Sequence, residues 1–179
     1  MYHLKLKTMK KIILSAIIAI TSLTGINAQD YKWWAGGRTT LWAGDDVSVI
    51  AIAPEIGYHL NNKFTVAASV GFEAYNFDID GKSDIVGLVM NPYLRYNVCR
   101  IGMVSCYVDG GVKFGLGDLD GFQTGLKPGI AVHLTDRLCA AFHFGFLGYS
   151  DGKGVSENSK GFGIDLSGYR SGFAVFYSF

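Results

Sequence analysis

Three stretches decide the fold: APEIGYHLNNKFTVAA at 53–68, NPYLRYNVCRIGMVSC at 91–106 and KPGIAVHLTDRLCAA at 127–141. They hold Pro54, Pro92 and Pro128, the three prolines of the chain, spaced 38 and 36 residues apart. After each proline, apolar or aromatic residues follow at even steps: Ile56, Tyr58 and Leu60; Leu94, Tyr96 and Val98; Ile130, Val132 and Leu134. A period of two belongs to a β-strand whose two faces meet different surroundings. A short polar or glycine-containing turn then leads into a second alternating run. The repeat is therefore one up-and-down hairpin plus its connection.

The C-terminus fits the same frame. With Phe173 in the proline slot, Val175, Tyr177 and Phe179 take the even positions, and the sequence ends where the other copies turn. Extended over the chain, the pattern gives eight strands: 31–43, 48–60, 64–76, 84–98, 104–116, 122–134, 138–149 and 162–179. The turns at 61–63, 99–103 and 135–137 are short. The opposite connections, 44–47, 77–83, 117–121 and 150–161, are mostly longer and rich in Gly and Asp. An even strand count with short turns beside the chain ends matches an all-β, eight-stranded antiparallel up-and-down transmembrane β-barrel. Strands of this length exceed the roughly 9–11 residues needed to cross a bilayer at a tilt.

The alternation separates two residue sets. Trp33, Leu41, Ile50, Ile52, Ile56, Phe64, Val66, Val70, Phe72, Val86, Leu88, Met90, Leu94, Val108, Val112, Phe114, Ile130, Val132, Leu138, Phe142, Phe144, Phe146, Phe173 and Val175 form a nearly uncharged outer face. Aromatics gather at its edges, as in an interfacial girdle. The alternate face is small: Gly36, Ala51, Ala53, Gly57, Ala67, Ser69, Gly71, Gly87, Gly111, Gly125, Gly129, Ala131, Ala141 and Gly145. A soluble lipocalin-like barrel would carry Lys, Glu, Thr and Gln on its water-facing side; small residues suit a narrow lumen. Among them, Arg38, Glu55, Glu73, Arg95, Asp109, Lys113, Lys127 and Arg170 are expected to form a charge network across that lumen, since buried ions need partners. In the last strand, Phe162, Ile164 and Leu166 are out of phase with 173–179, which calls for a bulge near Gly168 or Gly172.

The chain has 179 residues, enough for one domain with a sizeable core. Residues 1–28 read as an export signal: Lys10 and Lys11, an apolar run from Ile12 to Ile20, then a small-residue end at Ile26-Asn27-Ala28. Met9 directly precedes the two lysines and is a candidate true start. Residues 29–179 form the barrel domain. Removing the signal removes Lys5, Lys7, Lys10 and Lys11 and no acid, so the formal charge falls from +1 to −3. An acidic mature chain argues against a nucleic-acid partner. Cys99 and Cys106 flank one turn, but strict alternation puts Cys106 outside and Cys99 inside. A disulfide between them needs a bulge, and unpaired cysteines are the expectation.

Together these features resemble the outer-membrane β-barrel domain family of small porin-like, OmpX-type proteins. The resemblance covers residues 29–179 and is most specific at FAVFYSF, 173–179. In that family, a terminal aromatic with apolar partners at even steps is read by the outer-membrane assembly machinery; Phe173, Val175, Tyr177 and Phe179 match it. The resemblance implies a bacterial outer-membrane location with periplasmic termini. It also implies a monomer in contact with lipid and lipopolysaccharide. It fixes architecture better than activity.

Chemistry is weakly signalled. A lipid A-modifying enzyme would need His, Ser and a carboxylate at the outer rim. His59 and His133 fall at the short-turn edge and His143 in mid-strand, facing the lumen. The connections NFDIDGKSD (76–84) and GDLDGF (117–122) carry Asp-x-Asp-Gly, but lack the bidentate Glu of an EF-hand loop. Asp-Gly is also ordinary turn chemistry. Asp45, Asp46, Asp78, Asp80, Asp118, Asp120, Asp151 and Glu157 outnumber Lys82, Lys153 and Lys160, an acidic rim that could share divalent ions with lipopolysaccharide. No helix follows Gly115 and Gly117, so they make no phosphate cradle. The expected function is a non-enzymatic, cofactor-free envelope-structural or surface-interaction role through the outer loops. The alternative is a narrow porin, and an enzyme is less favoured.

Overall fold

Among the described residues, alternation of apolar and small or polar residues produces strands and no helix. A computed structural model describes residues 31–45, 47–78, 84–152, 160–166 and 171–179. The export signal at 1–28, Arg170 and Gly168 lie outside these. The strands are β1 (Trp33–Ala43), β2 (Val47–His59), β3 (Phe64–Phe77), β4 (Ile85–Ile101), β5 (Val104–Gly117), β6 (Gly121–His133), β7 (Leu138–His143), β8 (Phe146–Gly152), β9 (Gly161–Asp165) and β10 (Gly172–Ser178). Neighbours in sequence pair antiparallel from β1 to β6, and β6 pairs with β7 and then β8 along its length. β7 and β8 are one stave interrupted at Phe144–Gly145. β9 and β10 are the last stave, pairing with β8 and β7. β10 returns to β1. The result is a closed eight-stranded antiparallel up-and-down β-barrel.

The short turns have local causes. Asn61 Oδ1 accepts the backbone N–H of Lys63 at 2.8 Å and of Phe64 at 2.9 Å. Thr135 Oγ1 accepts those of Arg137 at 3.2 Å and Leu138 at 2.9 Å. Such side chains imitate a backbone turn and fix where each strand reverses. Between β4 and β5 only Gly102 and Met103 remain, and Gly102 takes φ 59°, a left-handed conformation that suits glycine. The expected 99–103 turn is therefore shorter, because β4 runs on to Ile101.

Outside, the wall is apolar. Ile50, Ile52, Ile56, Val70, Phe72, Leu88, Met90, Leu94, Phe114, Leu126, Ile130, Phe142, Phe173 and Val175 are all exposed. Trp33 meets Tyr58 edge-on at 4.9 Å and Phe64 meets Tyr96 at 5.1 Å, both near the short turns. A 13-residue strand such as β2, rising about 3.3 Å per residue and tilted by about 40°, gains about 33 Å of height, more than the roughly 25 Å apolar band of a membrane barrel.

Inside, large and absent side chains alternate around the wall. Trp34 lies directly opposite Gly57, Phe176 opposite Gly36, Tyr93 opposite Gly111 and Tyr107 opposite Gly129. A Cβ on any of these glycines would strike the facing aromatic residue. The rings occupy the space that the glycines leave, which is how eight strands can close around so much side chain.

The expected phase fails at two places. The β4–β5 register passes from Asn97↔Tyr107 to Cys99↔Cys106, leaving Val98 as an extra residue. Cys99 consequently turns outward, not inward. On the seventh stave, Gly129↔His143 is followed by Leu126↔Leu147, so three residues, 144–146, oppose two. Gly145, at φ 72°, makes this bulge possible. Phe146, expected on the outer face, is instead buried inside at 5% exposure. In the last stave, Gly172 is in regular register with His143, so the bulge expected there is not at Gly172, and Gly168 lies outside the described residues.

Closure is completed by the last residue. Phe179 N–H donates to Trp33 O at 2.8 Å, and Trp33 N–H to Phe179 O at 3.2 Å. Phe173, Val175, Tyr177 and Phe179 share the outward phase. Deleting Phe179 should lower the yield of folded barrel on refolding into lipid vesicles several-fold, read by gel mobility before and after boiling, whereas Asp45→Ala should not. Equal yields from the two variants would contradict closure through this residue.

Candidate functional site

The candidate site is the lumen, where the small inner face leaves room for ions. Arg95 of β4 forks onto Asp109 of β5, with Nε to Oδ1 at 2.7 Å and an Nη to Oδ2 at 2.9 Å. The two residues are direct cross-strand partners, so the two-pronged geometry follows from register. The Arg95 guanidinium lies 3.9 Å from the centre of the Tyr107 ring, with Phe176 at 5.4 Å, Tyr93 at 5.6 Å and Trp34 at 5.9 Å. Four aromatic faces thus surround one cation and replace part of its lost water.

His143 reaches the same carboxylate from β7, two staves further round the wall. Its Nε2 is 2.7 Å from Asp109 Oδ2. A carboxylate only accepts, so Nε2 carries the proton in this contact. The guanidinium nitrogens of Arg38 and Arg95, at 3.3 and 3.4 Å from Nε2, then crowd it without donating to it. Tyr107 Oη lies 3.4 Å from Nδ1, the free acceptor.

Arg38 of β1 adds a second acid. It lies 2.8 Å from Glu55 Oε1 and 3.9 Å from Asp109 Oδ2. Glu55 Oε1 and Arg38 Nε nonetheless have no aligned hydrogen-bond partner. This contact is chiefly Coulombic, and the directed bond to Glu55 comes from Tyr93 Oη, which donates to Oε2 at 3.1 Å. Toward the long-connection end, Lys113 Nζ donates to Glu73 Oε2 at 2.6 Å, and Tyr75 Oη donates to the same oxygen at 3.0 Å. Lys127 is the direct cross-strand partner of Asp109 and borders the small cavities of about 70 and 10 Å³ on that side. Of the sequence-predicted charges, Arg38, Glu55, Arg95 and Asp109 meet in one cluster and Glu73 and Lys113 in a second. Arg170 lies outside the described residues.

The two ends of the lumen differ. Below the ion cluster, at the short-turn end, opens a cavity of about 960 Å³ bordered by Lys32, Arg100, His59, His133, Asp136 and Arg137 among others. Here His59 Nδ1 is 2.8 Å from Thr65 Oγ1, and His133 Nε2 is 2.9 Å from Ser105 Oγ. At the opposite mouth, Leu119 is fully buried with Val49, Tyr75 and Val89. Reading GDLDGF as plain turn chemistry missed this residue; its signal was one large apolar side chain set between two acids. Also missed was His143 as a partner of Asp109, since alternation gives a face and not a height. Among the described residues, no group of three or more His, Cys, Asp or Glu is placed to hold a metal ion.

Comparison with known proteins adds no family: no protein-family model matches the chain, and no curated protein matches it.

Removing the shared carboxylate tests how the site is held. Asp109→Ala leaves Arg95 and Arg38 buried without it and should destabilise the folded barrel by about 3–5 kcal/mol in urea titrations. Replacing both partners, Arg95→Met with Asp109→Leu, should recover most of that loss. A double variant less stable than Asp109→Ala would contradict the account.

Proposed function

We propose that this chain is an outer-membrane β-barrel protein that conducts no ions, catalyses no reaction, and serves the envelope as structure or as a surface-interaction scaffold through its long connections. The carrying observation is the inversion of the usual burial rule: Arg38, Glu55, Arg95, Asp109 and Lys113 are sealed inside, while Leu88, Phe72, Ile130 and Phe173 face outward. Exposed apolar surface over a whole wall is costly in water and suits hydrocarbon. The β1–β10 ladder pairs the two sheet edges over most of the last described stave, as a lipid-embedded chain requires. The export signal read in residues 1–28 supports delivery across the inner membrane, and the 173–179 pattern supports recognition by barrel-assembly machinery. In this reading the termini and the 960 Å³ cavity face the periplasm, lipid and lipopolysaccharide surround a monomer, and the acidic long connections face outward.

The closed lumen favours scaffold over porin. Ion pairs on the lumen side join neighbouring strands, β1 to β2 and β4 to β5, and next-nearest strands, β3 to β5 and β5 to β7, while Arg38 of β1 reaches across toward Asp109 of β5, so mobile ions would meet fixed, paired charges. The catalytic alternative is disfavoured by the imidazoles. His143 is committed to Asp109. His59 and His133 each meet a hydroxyl but have no carboxylate partner among the described residues, so neither forms a triad.

Two measurements test this reading. The protein should fractionate with outer membranes and shift on a gel after boiling, and recovery in the soluble periplasmic fraction would overturn the membrane assignment. In planar bilayers it should give no steady current, and a stable open-channel conductance would overturn the closed lumen in favour of a narrow pore.

A further inference from the structure

The extra residue at Val98 has a chemical consequence. It turns Cys99 to the outer face, directly opposite Cys106 and two residue pairs from the Gly102–Met103 turn. Directly opposed residues of an antiparallel pair hold their Cα atoms about 4.5–5.5 Å apart, inside the range a disulfide spans. Both cysteines are free thiols, Cys99 exposed and Cys106 half-buried. The flanking pairs keep this phase: Arg100 and Ser105 border the large cavity, and Ile101 faces Val104. The third thiol, Cys139, lies on β7 and borders the same cavity, on the inner side of the wall.

We propose that Cys99 and Cys106 form an oxidisable cross-strand pair that closes to an intramolecular disulfide, stapling the β4–β5 hairpin at its short turn. The oxidant is a disulfide, carried by a protein or by oxidised glutathione. The exposed Cys99 thiolate attacks one oxidant sulfur, forming a mixed disulfide and releasing the first oxidant thiol. Cys106, as thiolate, then attacks the Cys99 sulfur and releases the second. One protein disulfide forms, one oxidant disulfide is reduced to two thiols, and the two cysteine protons end on those thiols. The chemistry needs only the fold; its occurrence in the cell rests on the export reading above, because exported proteins meet such oxidants.

The test uses the refolded barrel in detergent with oxidised glutathione, followed by alkylation and intact-mass and peptide analysis. The expected product has lost two hydrogens, carries one alkylated thiol at Cys139, and yields a peptide linking Cys99 to Cys106. Cys139→Ser should still form it; Cys99→Ser and Cys106→Ser should not. In glutathione redox buffers, the folded pair should favour the disulfide by about tenfold over the same chain in urea. Three alkylated thiols, a stable glutathione adduct at Cys99, or a linkage through Cys139 would overturn the proposal, as would equal oxidation in urea. A disulfide formed in vitro, with the cellular protein reduced and soluble in the cytoplasm, would instead overturn the export reading and leave the pairing intact.

Discussion

An open sheet of this sequence would carry two rows of unpaired N–H and C=O groups beside an apolar face. The ladder between β1 and β10, ending in the reciprocal bonds of Trp33 and Phe179, removes both edges from Trp33 to Thr39. Closure then dictates the rest. Eight strands enclose a narrow interior, so an inward residue must be small, or must face a gap. The chain uses both solutions at once. Trp34, Tyr93, Tyr107 and Phe176 each lie over a glycine on the neighbouring strand, and the freed space takes a ring.

Those rings in turn make the ions tolerable. A guanidinium deprived of water needs both a counter-charge and polarisable neighbours. Arg95 has Asp109 for the first and the aromatic cage for the second. Asp109 is bonded from three directions, by the two prongs of Arg95 and by His143, with Arg38 close by. The glycines, the rings and the ions are therefore one packing solution. Substitution of Gly129, for example, would act on Tyr107 and through it on Arg95.

Much of this was legible in the sequence, for a physical reason. A barrel wall separates two environments everywhere, so every strand must alternate, and the prolines mark equivalent positions in successive hairpins. The eight staves, the identity of the two faces and the lumen positions of Arg38, Glu55, Glu73, Arg95, Asp109 and Lys113 follow from that. What alternation cannot reveal is a change of phase. At Val98 and at Phe144–Gly145 one strand gains a residue on its partner, and everything beyond reverses face until the next irregularity. Phe146 was misplaced for this reason, and Cys99 as well. Glycine at 145 was a clue with two readings, a small lumen residue or a bulge, and only the register with β6 separates them. The Asp109–His143 contact was hidden for another reason: it bridges β5 and β7 over the intervening β6, and its formation depends on how far each strand is staggered.

The lumen is also asymmetric along its axis, and the asymmetry follows from side-chain size. Toward the short turns, His59, Thr65, Ser105 and Arg100 line an open cup of about 960 Å³. Toward the long connections, Leu119 folds back against Val49, Tyr75 and Val89, over positions where Gly87 and Gly115 leave room for it. Between the two lie the ion clusters. An ion entering from the cup would meet paired, immobile charges first, where its hydration shell could be replaced only by breaking bonds such as Arg95–Asp109. Beyond them, along β2 to β5, it would meet Val49, Val89 and Leu119, packed beside the Tyr75 ring whose hydroxyl is already bonded to Glu73. The two regions rest on different physics, one electrostatic and one hydrophobic, and they follow one another along the axis. Loss of the Asp109 carboxylate would weaken the first and leave the second in place, so the stability of the barrel and the tightness of its lumen are separable properties of one interior.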